Sequence, residues 1–116
     1  MTDNIQKLYE IAGVERIYSE FNNGKETIVE RVFSPYKQLE LIKLLMKYKQ
    51  TLLIELQYFE GDYCVTHCAE CEDNDGVEYV ITGRAKLLEN AIADLFIDMW
   101  QDLTEEQKQE IKRILK

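Results

Sequence analysis

Residues 64–71 read CVTHCAEC and hold all three cysteines and the one histidine of the 116-residue chain. Four side chains able to ligate a soft metal, gathered in eight positions, constrain the fold more than any other stretch. Three sulfurs and one nitrogen match the ligand set of a closed tetrahedral zinc site. The sequence therefore predicts a structural Zn2+ held by Cys64, His67, Cys68 and Cys71, the last two at knuckle spacing.

Such a site would dictate the path of the chain. Successive strand residues point to opposite faces, and residues four apart in an extended strand lie about 13 Å from each other. Cys64, His67 and Cys68 could meet one ion only if the strand gave way to a bulge or folded-back loop before residue 68. The alternatives are a site of three cysteines completed by an outside carboxylate or a second chain, and metal-free thiols buried as small apolar residues. A catalytic zinc is not expected, because it needs an open position beside a general base and the sequence has neither HExxH nor HxE…PCxxC. Nothing around His67 marks an orienting partner or an oxyanion hole for a cysteine nucleophile. The chain reads as a non-enzyme.

Charge narrows the partner. Asp and Glu number 22 against 14 Lys and Arg, a net charge of -8. Direct grip on nucleic acid requires a basic surface that displaces counterions from phosphates, so the balance argues for a basic protein partner instead. The acidic residues Glu70, Glu72, Asp73 and Asp75 follow the cysteine cluster, and Glu60 and Asp62 occupy the turn that opens the same strand. These six are the candidate partner-binding residues, on a loop that the metal would hold in shape; the alternative is a solvated loop. A calcium loop is set aside, since aligning Gly76 with the invariant glycine puts Cys71 first and Thr82 twelfth, where acids are needed. No window approaches the roughly 18 to 20 apolar residues of a membrane span, and MTDNIQKLYE lacks the layout of a signal peptide. A cytoplasmic protein that engages no membrane is expected.

The remainder reads as one α+β domain. TDNIQKLYEIAG is a short helix capped by Asp3, with Gln6 answering it, and ended by Gly13; Asn23-Gly24 then turns a hairpin with arms Ile17 to Phe21 and Thr27 to Phe33. Ser34 and Pro35 start a second helix with Leu39, Ile42, Leu45 or Met46, and Tyr48 as its buried stripe. TLLIELQYF, YCVTH and VEYVIT make an antiparallel three-stranded meander. In the first strand Leu52, Ile54, Leu56 and Tyr58 share a face. RAKLLENAIADLFIDMWQDL forms the strongest helix, and a Thr104–Gln107 capping box begins the last. Residues 1–33 are helix and hairpin, 34–103 a helix, strands and helix core, and 104–116 a final helix, with amphipathic helices covering the sheet.

The order of SPYKQLELIKLL, the three strands, and VEYVITGRAKLLENAIADLFIDMW resembles the phage ABA sandwich domains over residues 34 to about 103. That family has no catalytic motif to carry over, and the cysteine cluster departs from its usual pattern. A small acidic α+β protein of this phage-like type also looks like an anti-CRISPR, some of which are acidic proteins that bind basic surfaces of Cas9. The resemblance implies inhibition of Cas9 through a positively charged channel, with a phage structural or accessory interaction module as the alternative.

Overall fold

A computed structural model describes residues 4–47, 50–70 and 78–116, with backbone alone at 50–52, 70, 78 and 79. The elements are α1 (Asn4–Ala12), β1 (Ile17–Asn22), β2 (Lys25–Glu30), α2 (Pro35–Met46), β3 (Gln50–Phe59), β4 (Asp62–Glu70), β5 (Glu78–Ala85), α3 (Leu88–Met99) and α4 (Glu105–Leu115). A 3-10 turn at Trp100–Asp102 joins α3 to α4. Strands β1 and β2 form a hairpin of their own, and β3-β4-β5 form a separate antiparallel sheet, the expected α+β arrangement. No helix among the described residues is long and apolar enough to cross a membrane.

Local chemistry sets most boundaries. Gly13 ends α1 at φ 72, and Asn23 and Gly24 turn the hairpin at φ 54 and 78, which sets Asn22 opposite Lys25. Ser34 caps α2 by accepting from the Lys37 amide at 3.3 Å, with Pro35 in the first turn. The Thr104–Gln107 capping box is complete, its two bonds 3.1 and 2.9 Å long. The Asp3 cap expected for α1 lies outside the described residues.

The core lies between the helices and one face of β4 and β5. Val65, His67 and Ala69 are buried there, and Ala91, Ile92, Leu95, Phe96 and Met99 of α3 are buried above the sheet. Each large apolar side chain enclosed in this way contributes about 2 kcal/mol. Gly83 permits the close approach: a Cβ on it would lie 2.1 Å from the Ala91 carbonyl oxygen and 2.5 Å from the Leu95 nitrogen. Helix α1 packs beside α3 through Ile5, Leu8 and Tyr9, and α2 meets α4 through Leu41, Leu45, Ile111 and Leu115. The Tyr9 hydroxyl donates to the Leu115 carbonyl at 3.0 Å, tying α1 to the end of α4.

Four expectations change. Strand β4 does not give way before residue 68 but pairs without interruption to Glu70, opposite Glu78. Strand β5 continues through Gly83, Arg84 and Ala85, so α3 begins at Leu88 and not at Arg84. The buried side of α2 is Leu41, Leu44 and Leu45, while Leu39 and Met46 are exposed and Tyr48 lies outside the described residues. The leucine-rich LELIKLLM offers two stripes at helical spacing, and the one that meets Ile111 and Leu115 of α4 is buried. Lastly, α3 lies over β5 and β4 but leaves β3 open, so Leu56 and Tyr58 are exposed on the face that is buried at Val65 and Gly83.

Candidate metal and partner-binding residues

The unbroken β4 decides where the cluster points. Val65, His67 and Ala69 face the core, with His67 2% exposed between Ile54 of β3 and Ile81 of β5. Cys64, Thr66 and Cys68 face the other way and are half-buried. Cys64 lies opposite Gln57 and Arg84, and Cys68 opposite Leu53 and Val80. Burial pushes the His67 pKa below its ordinary value, which favours a neutral imidazole.

Cys64 and Cys68 therefore turn away from His67, and these three side chains do not converge on one point while β4 stays a continuous strand. Among the described residues no group of three or more histidine, cysteine or acidic side chains is placed to hold a metal. Cys71 lies outside the described residues. The period-two pattern of Val65, His67 and Ala69 against Cys64, Thr66 and Cys68 is the signal for a continuous half-buried strand.

The described candidate acidic residues lie at the two ends of β4. Glu60 and Asp62 sit at the β3–β4 turn, where Glu60 and Gly61 take φ 54 and 84. Glu70 is the last residue of β4, about 27 Å along the strand from Asp62 at 3.4 Å per residue. Its side chain, and all of Glu72, Asp73 and Asp75, lie outside the described residues. Asp62 is engaged within the fold: its carboxylate accepts from Arg84 Nε at 2.8 Å, and Arg84 Nη2 lies 4.0 Å from Glu60. The Arg84 amide also donates to Asp94 of α3 at 3.0 Å. Reading Arg84 as the start of a helix hid this pairing, which follows once β5 is extended by three residues.

The most exposed feature is the β1–β2 hairpin, whose closest packing is between its own two strands. Its register puts Ile17, Phe21 and Ile28 on one side together with Glu26 and Glu30. Phe21 is 77% and Ile28 72% exposed. The root is fastened by Arg16, which pairs with Glu30 at 3.0 Å, donates to Gln6 of α1 at 3.3 Å and lies 5.6 Å from the Tyr9 ring centre. Arg31 donates to the Glu15 carbonyl beside it. The Asn23-Gly24 turn announced the hairpin, but only its position shows that its apolar side is uncovered among the described residues. A groove of about 680 Å³ between α2 and α4 is lined by Glu40, Lys43, Leu44, Glu110 and Arg113 among others. Lys43 and Glu40 pair across 3.4 Å within it.

No protein-family model matches the chain, and no curated protein or solved structure matches it either.

Proposed function

We propose that the protein is a non-enzymatic binding protein of phage or mobile-element type that docks on a basic protein surface, with Cas9 as the partner. The observation that carries this reading is the β1–β2 arm. An isolated two-stranded hairpin is marginally stable by itself, and exposed apolar side chains rimmed by charge characterise surfaces that bind other proteins. Phe21 and Ile28 provide the apolar contact, and Glu26 on the same side of the hairpin the charge, on a chain of net charge -8. Cas9 offers what such an arm requires, positively charged channels for guide, heteroduplex and displaced strand. Docking there needs no metal.

The test is cleavage of a target plasmid by guide-loaded Cas9 with the protein added, over a salt series. Inhibition that weakens with salt and is lost in the double variant Phe21→Ser, Ile28→Ser is the expected result. Cleavage unaffected at every concentration would remove Cas9, and inhibition that survives the double variant would remove the arm. The accessory-module reading is supported by a different surface, the open edge of β3, and predicts self-association without inhibition.

A further inference from the structure

We infer that two copies of this chain associate through β3, edge to edge and antiparallel, continuing the three-stranded sheet into a six-stranded one centred on Leu56. The inference does not depend on the β1–β2 arm; it deepens the accessory-module reading, which shares the β3 edge, and is compatible with docking through the arm. Strand β3 is an outer strand of the sheet, and among the described residues nothing pairs with its far edge. Natural proteins blunt such edges with lysine, proline, bulges or a covering helix.

The two edges of this sheet differ. At β5 the helix α3 lies over the strand, and the outward Arg84 amide is taken up by the Asp94 carboxylate at 3.0 Å. At β3 the residues from Leu53 to Phe59 include no lysine, arginine or proline, and the register irregularity falls earlier, between Thr51 and Leu53. What remains is a regular seven-residue edge. Both of its faces carry exposed apolar side chains: Leu53 is 48% and Phe59 57% exposed on one, flanking Glu55 and Gln57, and Leu56 55% and Tyr58 66% on the other.

The sequence of this edge is complementary to itself in one register. A two-fold axis perpendicular to the sheet pairs residues of like parity, so that each face continues across the junction. Centred on Leu56, the pairing sets Leu56 against its own copy, Ile54 against Tyr58, Leu53 against Phe59, and Glu55 against Gln57. Every apolar residue meets an apolar one, and the single carboxylate meets an amide. Centring on Glu55 would bring two carboxylates face to face, and centring on Ile54 would set Glu55 against Leu53.

The area suits a modest dimer. Seven paired residues with four half-exposed apolar side chains would bury roughly 600 Å² per copy, somewhat below the ~800 Å² per partner of a standard stable interface. An interface of this size points to a reversible association that rises with protein concentration. Because each copy carries a net charge of -8, salt should strengthen the dimer by screening repulsion, the opposite of its effect on docking to a basic partner.

Sedimentation of the full chain from micromolar to near-millimolar concentration, at low and high salt, tests the inference. A reversible dimer favoured by salt is expected, and Leu56→Lys, which sets two like charges across the axis, should weaken it by more than about tenfold. Leu56 is more than half exposed, so the variant should keep its fold, which circular dichroism would check. Oxidative crosslinking fixes the register: Leu56→Cys should trap a dimer through its own copy above the level of the parent chain, and Ile54→Cys should not. A monomer throughout, a dimer indifferent to Leu56→Lys, or equal crosslinking by both cysteine variants would overturn the proposal.

Discussion

His67 and Cys68 are neighbours in the chain and lie on opposite faces of β4, the imidazole closed in between Ile54 and Ile81 and the thiol half-buried between Leu53 and Val80. A single ion cannot take both without breaking the ladder at this point. Cys64 and Cys68 should therefore label with a maleimide in the folded protein at rates that a chelator leaves unchanged, read by peptide mass spectrometry. Protection that the chelator removes would mean that a metal gathers the cluster and that β4 opens before residue 68.

The buried imidazole carries a pH dependence. Its pKa is held below the ordinary 6.5 by burial, so between that value and the lowered one the unfolded chain binds a proton that the folded chain refuses. The stability that goes with neutral His67 is thus complete above about pH 6.5 and is lost as pH falls through the window. Urea midpoints at about pH 7.5 and about pH 5.5 should separate more for the parent protein than for His67→Leu. Equal separation would show that the imidazole is solvated in the folded state.

Gly83 is the place where α3 rests on the sheet. A methyl group there would collide with backbone at Ala91 and Leu95, which no side-chain rotation can relieve. Gly83→Ala should cost about 3 kcal/mol, seen as a lower denaturant midpoint with an unchanged slope. A variant as stable as the parent would place α3 further from β5.

Arg84 engages the acidic end of the β3–β4 turn. Arg84→Gln would release Asp62 and Glu60 from their partner and take the net charge from -8 to -9. Thermal stability should change little, since the pair is partly exposed. Affinity for a basic partner should rise at low salt, with the gain vanishing at high salt. An affinity that does not respond at any salt would place this turn outside the interface.

Much of this molecule was legible before its structure. Asn23-Gly24, Ser34-Pro35 and the Thr104–Gln107 box each act within a few residues, through backbone angles and orphan amide groups, and each stands where its chemistry puts it. The buried side of α2 was legible in part: Leu45 is buried and Ile42 packs against the core as the spacing predicts, but Leu39 and Leu41 satisfy the same periodicity and Leu41 is the one enclosed. The run of β4 through Cys68 was written in its period-two alternation, against which the clustering of ligand-type residues pointed to a loop. The Arg84–Asp62 pair depends on strand register across two turns and has no local sign.

The amino-acid sequence by itself determined the number and kind of elements, most of their turns and caps, and a net charge of -8, because these depend on backbone conformation and composition alone. Only the tertiary structure decided that His67 turns inward while Cys64 and Cys68 turn outward, that α3 covers β4 and β5 but not β3, and that the hairpin stands uncovered among the described residues. Each of those outcomes depends on which distant surface arrives opposite a given face, and burial is gained only after the elements have met.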